Sequence, residues 1–179
     1  MVGGPEAGTF RVGPILPATI VERRYRNDSA TLETTWTVGH VRLVLTEAMV
    51  AEVAGRLLPA MLLVRRLSVE GGPVDAVVEF NPRLGEHHRS PRVSRRGQDR
   101  VCEWGSLALS LVCDPELAIE PGRPTSITVT PERPITLVLA VAPREPLIHV
   151  DPGAAWDLIV QDEARWGLER ADRRQPCLP

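Results

Sequence analysis

The residues best suited to chemistry lie in one polar stretch, residues 83–100, in which Arg recurs and two histidines are adjacent. This stretch holds six Arg, two His and two acidic residues, a local charge of about +4. Such a charge suits a phosphate or an acidic partner, but the aromatic residues that stack bases in nucleic-acid sites are missing. We therefore interpret the stretch as a solvated, mobile loop, with anion binding as the alternative.

Glu86-His87-His88 has the residue types of metal ligands at an unfavourable spacing. Adjacent residues on an extended chain point to opposite sides, so the two imidazoles cannot easily bind one ion. His40 falls in a predicted turn, and His149 lies far along the chain. Glycine-rich phosphate and dinucleotide motifs are also missing. We expect no metal site and no cofactor.

Sequence motifs give no support for nucleophilic or acid–base catalysis. The GxSxG elbow is missing, and Cys102, Cys113 and Cys177 show neither CxxC spacing nor a nucleophile context. Glu33 and Glu79 lie on predicted strand faces without an obvious second acid. The pattern indicates structural roles for these carboxylates and predicts no catalytic residue.

Aromatic side chains are the remaining candidates for ligand contact, and the chain has four Trp, one Tyr and two Phe. An exposed Trp on a β-sandwich is a platform for sugar stacking. Trp36 and Trp156 share faces with aliphatic residues, which favours core positions. The candidate ligand or interface residues are Tyr25, Trp104, Trp156 and Trp166.

The elements that must position these residues are short strands. Apolar and polar residues alternate over 32–38 and 41–45, and the intervening Gly39-His40 suits a mirror-type hairpin turn. This turn predicts that Trp36 lies opposite Leu43 on one face of the hairpin.

A second hairpin is predicted from residues 61–69 and 74–80. Their apolar faces stay together if a four-residue loop places Val69 opposite Val74. Arg65 then falls on the apolar face, where it needs a carboxylate partner or a route to solvent.

The remaining pattern predicts further strands and one helix. Residues 49–58 fit either a helical turn or a connection. Asp151 caps the helix, Pro152 takes its first position, and Trp156 and Ile159 begin an apolar stripe. The further strands are predicted at residues 19–25, 101–104, 107–113, 126–130 and 135–141.

The spacing of strands and turns predicts a mainly β protein, an antiparallel β-sandwich of the super-sandwich type with one C-terminal α-helix. We expect a β-sandwich domain over residues 8–150, a linker-type helix over 151–170 and a flexible tail over 171–179.

Composition narrows the class of protein further. Gly and Pro number 14 and 17, which argues against a helical bundle. No apolar run is long enough to cross a membrane. All 21 basic residues are Arg, but the net charge of −2 gives no general attraction for nucleic acid. An odd cysteine count and no visible signal peptide predict a cytoplasmic protein with reduced thiols.

Several ordered motifs resemble the N-terminal β-sandwich of bacterial family-15 glycoside hydrolases, the glucoamylase and trehalase-like enzymes. Arg23-Arg24-Tyr25 and Leu32-Glu33-Thr34-Thr35-Trp36 are similar to the family's "RRY…LETTW" strand pair. Leu63-Val64-Arg65-Arg66 followed by Glu70-Gly71 resembles its "VRR" strand and turn, and Asn81-Pro82-Arg83 resembles its "DPR" element. The strand at 135–141 and the final helix also resemble the end of that domain, so the likeness covers residues 8–168.

The sequence departs from the family at three places. Leu84-Gly85 stands where the family commonly has an aromatic residue and Gly. The family's opening "IGD…GSIDWLC…FDS" stretch and its catalytic (α/α)6 barrel have no counterpart in the sequence. The resemblance places both catalytic glutamates in that barrel, so it implies no catalytic residue in this chain.

These observations favour a non-catalytic accessory or interaction module of carbohydrate metabolism. Its expected partner is a separately encoded (α/α)6 barrel protein or a second copy, contacted through the helix around Trp156 and Trp166. The alternatives are a module that binds α-glucan or trehalose by aromatic stacking, and a remnant without a retained function. With few aromatic residues, carbohydrate binding is expected to be weak or absent.

Overall fold

The computed structural model of the protein describes residues 6, 8–26, 29–53, 56–85, 87–97, 99–143 and 150–173. Within these ranges the chain forms eleven strands followed by one helix. Their bounds are β1 (Thr9–Pro14), β2 (Thr19–Tyr25), β3 (Leu32–Val38), β4 (Val41–Val53), β5 (Arg56–Glu70), β6 (Val74–Asn81), β7 (Arg92–Arg96), β8 (Asp99–Trp104), β9 (Leu107–Asp114), β10 (Pro124–Val129), β11 (Ile135–Pro143) and α1 (Pro152–Arg173).

The strands form two antiparallel sheets, a small one of three strands and a large one of eight. The small sheet has the order β1-β6-β10, and the large sheet has the order β2-β3-β4-β5-β11-β9-β8-β7. This arrangement confirms the predicted antiparallel sandwich with a single C-terminal helix.

The main hydrophobic core fills the space between the two sheets. On the large sheet, Leu43, Leu45 and Leu67 alternate with residues of the opposite face, while the small sheet contributes Val78 and Phe80. All five side chains are almost fully buried. Period-two patterning therefore supplies one continuous core from both sheets.

Helix α1 covers the other face of the large sheet. Ala155 and Ile159 are buried against Leu62 and Val64 of β5. The amide of Ala154 donates to the Asp151 side chain over 2.8 Å, so Asp151 is the N-cap that the sequence predicts. The helix continues to Arg173, three residues past its predicted end at 170.

The first predicted hairpin is confirmed. Trp36 pairs with Leu43, and Val38 pairs with Val41 across the two-residue turn. Gly39 has a φ of 64°, which glycine adopts without steric cost.

The second predicted hairpin is wrong, because β5 and β6 belong to different sheets. Val69 pairs with Leu43, and Val74 pairs with Val129 of β10. Both side chains still point into the same core. Alternation shows which residues face the core, but packing across a sandwich satisfies it as well as hydrogen-bonded pairing does.

Two further segments differ from the sequence interpretation. Residues 49–53 belong to β4 and residues 56–58 to β5, and the two strands pair with each other. The stretch 83–100, interpreted as a mobile loop, contains a Leu84–Arg89 bridge, all of β7 and the start of β8. Strand β8 is predicted from residue 101 onward, whereas β7 was missed because its side chains are mostly charged and exposed. Residues 174–179 of the expected tail lie outside the described residues. Within the described part of the chain, no helix is long and apolar enough to cross a membrane.

Candidate functional site

A half-buried ion pair lies where the core reaches one end of the sandwich. Glu47 on β4 is directly opposite Arg65 on β5, and Glu47 Oε1 lies 2.8 Å from Arg65 Nη2. The two side chains are 16% and 17% exposed, respectively. Arg65 Nη1 also donates to the carbonyl of Phe10, and the guanidinium carbon lies 4.4 Å from the Phe10 ring centroid. The pair provides the carboxylate partner that the sequence required for Arg65.

Burial acts against the charge of Arg65. Desolvation lowers the pKa of its guanidinium below the ordinary value, while the charge and hydrogen bond of Glu47 raise it. Arg65 Nε is buried without a hydrogen-bond partner among the described residues. The cation is thus held in place by Glu47, by a backbone carbonyl and by an aromatic ring.

Next to this ion pair, the large sheet extends past the small sheet. Strand β1 runs across the large sheet at this point. Its Phe10 contacts Arg65, and its Gly13 lies beside Trp36. Further along β4 and β5, the sheet face that carries Glu47 and Arg65 continues through Met49, Leu63, Met61 and Leu57, because side chains alternate between the two faces of a strand.

These positions form an exposed apolar surface. Met49, Leu57 and Met61 are 63%, 81% and 52% exposed. Tyr25, 62% exposed, reaches the same face because Tyr25 pairs with Leu32 and Leu32 pairs with Glu47. We call this surface the hairpin face; its residues are Tyr25, Leu32, Met49, Leu57, Met61 and Leu63.

The hairpin face has the chemistry of a contact surface. A group of large, exposed apolar side chains on one sheet face, with an ion pair at its edge, is typical of protein interaction sites. Methionine and tyrosine also adapt to different partners, because one is flexible and the other combines a ring with a polar tip.

The structure does not bring the four predicted site residues together. Tyr25 lies on the hairpin face. Trp104 is 8% exposed, and its Nε1 donates to the carbonyl of Arg89 over 2.8 Å, so no ring face is open to a sugar. Trp156 is half-buried between α1 and the large sheet, with the Arg66 guanidinium carbon 4.7 Å from its ring centroid. Trp166 lies in α1, but its side chain is outside the described part of the chain.

The carboxylates that the sequence singled out take part in ion pairs. Glu33 Oε2 lies 3.6 Å from Arg26 Nε, and Glu163 Oε2 of α1 lies 3.8 Å from Arg26 Nη2. Glu79 pairs with Arg11 over 2.9 Å between β6 and β1. Two acids that share one guanidinium link the helix to the sheet and differ from a hydrolytic pair, which needs an unobstructed sugar between its carboxylates.

The described residues contain neither a cluster of metal ligands nor a thiol with a lowered pKa. No group of three His, Cys, Asp or Glu side chains is placed there to hold a metal ion. Burial raises the pKa of the Cys102 thiol to about 11 and that of Cys113 to about 12. Both thiols stay protonated at neutral pH, and a protonated thiol is a poor nucleophile.

Sequence reasoning missed Met49, Leu57 and Met61 as surface residues. Met49 and Leu57 fall in residues 49–58, whose pattern fits either a helical turn or a connection, and Met61 begins the predicted strand 61–69. The available signal was the continued alternation Leu43, Leu45, Glu47, Met49, in which a charged residue interrupts an apolar face. The sequence does not show where β1 lies. The position of β1 determines how much of this sheet face the small sheet buries.

Comparison with known proteins matches more than half of the chain to one family model. Residues 1–106 match the family model described as "Trehalase-like, N-terminal". No curated protein matches significantly. Among solved structures, a "Putative kojibiose phosphorylase from human microbiome" aligns with 76% of this chain at 6% identity and a TM-score of 0.42. The chain spans 20% of that protein's length.

Proposed function

Because the chain belongs to the family of trehalase-like N-terminal domains, we propose that it is a non-catalytic accessory domain that docks on a catalytic glycoside hydrolase domain. The hairpin face is the proposed contact surface, and its exposure is the single observation that carries the proposal. The finer placement, among glucoamylase and trehalase-like enzymes of family 15 in the cytoplasm, is part of the same proposal.

The energetics support a docking role. Burial of one large apolar side chain contributes about 1.5–3 kcal/mol relative to its exposed state. Met49, Leu57 and Met61 are each more than half exposed, so a partner that covers them gains more than half of such a contribution from each. Binding energy usually concentrates in a few central residues of this kind, with a polar surround that excludes water.

The hairpin face is a better contact surface than the helix that the sequence suggested. The apolar stripe of α1 packs on its own sheet through Ala155 and Ile159. Val160 is the large apolar residue that the helix exposes within its described side chains, at 47%. The hairpin face presents three comparably exposed residues along β4 and β5.

The test uses a catalytic barrel of a trehalase-like glycoside hydrolase, produced without its own N-terminal domain. We expect light scattering and calorimetry to show a complex with this chain. Met49→Glu combined with Met61→Glu should weaken the complex at least tenfold, about 1.4 kcal/mol or more. The matched control is Val93→Glu, because Val93 is 46% exposed on β7 at the far edge of the large sheet.

Three results would contradict the proposal. One is a complex that the double variant leaves unchanged, since another surface would then make the contact. Another is the absence of any complex at high concentration. Third, if the chain alone forms a dimer that the double variant dissociates, the hairpin face contacts a second copy and not a barrel.

A further inference from the structure

A polar recess lies at the beginning of the stretch rich in Arg and His. Its volume is about 510 Å³, and it shares no residue with the hairpin face. The recess is lined by Glu6, Asn81, Arg83, His87, His88 and Ser90.

The fold brings these residues together by two backbone contacts. Gly8 has a φ of 93°, and a Cβ at this position would lie 2.9 Å from both the Arg83 amide nitrogen and the Asn81 carbonyl oxygen. Glycine therefore lets the N-terminal segment, with Glu6, approach the end of β6. On the other side, Leu84 and Arg89 exchange backbone hydrogen bonds of 3.1 and 3.0 Å, which closes the turn that carries the histidines.

His88 has two unusual properties in this turn. Its φ is 48°, a left-handed value found at no other non-glycine residue in the described ranges. Its Nδ1 is buried without a hydrogen-bond partner among those residues. Left-handed backbone and unsatisfied polar atoms both carry a free-energy cost, and such costs concentrate at ligand sites.

Arg83 provides the permanent charge of the recess. Its Nη1 donates to Ser90 Oγ, which fixes the guanidinium at the wall. In the described part of the chain, neither Arg83 nor the neighbouring Arg89 forms an ion pair with a carboxylate. The planar guanidinium keeps further N–H groups in the fork geometry that matches two oxygens of a phosphate.

We propose that the recess binds a phosphate group, either free phosphate or the phosphomonoester of a small sugar. Arg83 pairs with the phosphate oxygens, the His88 ring gains the acceptor that it lacks, and the Asn81 amide and the His87 ring add donors. Among the described lining residues the donors outnumber the one carboxylate, Glu6, which is exposed and therefore screened by solvent. This site goes beyond the docking role and does not depend on it.

The experiment titrates the full chain with inorganic phosphate, with glucose 6-phosphate and with glucose, by calorimetry and by the NMR signals of the histidine rings. We expect saturable binding of at least one phosphate compound and none of glucose. Arg83→Gln and His88→Asn should each weaken binding at least tenfold. Asn is chosen because it tolerates the left-handed backbone of position 88. Arg42→Gln, at an exposed ion pair with Glu70, makes the same charge change elsewhere and should alter the affinity less than twofold.

The outcomes separate the two sources of phosphate and the failure of the proposal. Binding of inorganic phosphate alone supports a free-anion site, and tighter binding of glucose 6-phosphate supports a sugar phosphate site. No saturable binding up to about 20 mM of either compound would overturn the proposal. So would unchanged affinity in both Arg83→Gln and His88→Asn, when thermal unfolding shows that these variants are folded. None of these results depends on the hairpin face, so the two proposals can fail separately.

Discussion

Glu47 and Arg65 lie directly opposite each other on β4 and β5, with Oε1 and Nη2 separated by 2.8 Å at the boundary between the core and the hairpin face. The pair places two opposite charges next to the apolar side chains of Leu45, Leu63 and Leu67 on the same sheet face. Phe10 of the small sheet accepts a hydrogen bond from Arg65 and stacks on it, so the pair also joins the two sheets.

Removing Glu47 should destabilise the fold more than removing an exposed partner does. Glu47→Ala leaves Arg65 charged and poorly solvated, and we expect a loss of about 3 kcal/mol in the free energy of unfolding. Urea unfolding monitored by tryptophan fluorescence measures it. Glu47→Gln keeps an acceptor oxygen and the side-chain volume, so it should cost less.

The control for this change is the Arg11–Glu79 pair, which also joins two neighbouring strands but is 55% and 33% exposed. Solvent screening leaves such a pair worth at most about 1 kcal/mol. If Arg11→Gln costs as much as Glu47→Ala, partial burial is not what makes the Glu47–Arg65 pair important.

The short-range features of the fold could be predicted from the sequence because each depends on neighbouring residues. The Gly39-His40 turn fixes the Trp36–Leu43 register locally, and Asp151 followed by Pro152 marks the helix start. The sheet partners of β5 and β6 could not be predicted in this way. Val69 and Val74 face one core from opposite sheets, and sequence alternation does not distinguish that arrangement from a hairpin.

The candidate sites depended even more on tertiary position. The need of Arg65 for a carboxylate follows from its place on an apolar face, but Glu47 becomes its partner only through the register of β4 and β5. Trp104 shows the same dependence in the other direction. Its type suggested a sugar platform, whereas the packing of the turn at Arg89 buries its ring and satisfies its N–H group.

Carbohydrate affinity should be low. Tyr25 is the exposed aromatic residue among the described side chains, and a single ring offers little stacking area. We expect no affinity for maltooligosaccharides or trehalose tighter than about 1 mM, which corresponds to roughly −4 kcal/mol. Calorimetry measures it. Micromolar binding that Tyr25→Ala abolishes would favour the carbohydrate-binding alternative over the docking role.

Two glycine substitutions should differ in cost because their surroundings differ. Gly8→Ala places a methyl group 2.9 Å from two backbone atoms and also forces a left-handed alanine, so we expect a loss of more than about 2 kcal/mol. Gly39→Ala has a similar φ but no atom within 4 Å of the new Cβ, and should cost about 1 kcal/mol. Equal losses in urea unfolding would show that the N-terminal segment does not pack against Asn81 and Arg83.

Alkaline pH should destabilise the protein through its buried thiols. Burial raises the pKa of Cys102 from 9.0 to about 11 and that of Cys113 from 9.0 to about 12. Between pH 9 and these values the unfolded chain releases thiol protons that the folded chain keeps, so the free energy of unfolding falls as pH rises. At pH 10 the loss is about 1.4 kcal/mol for each thiol relative to pH 7. The chain has no lysine, which leaves this range free of amine side-chain titration.

Urea unfolding at both pH values measures the loss, and Cys113→Ala should reduce it by about half. A stability that stays constant from pH 7 to pH 10 would show that these thiols ionise as readily in the folded chain as in the unfolded one.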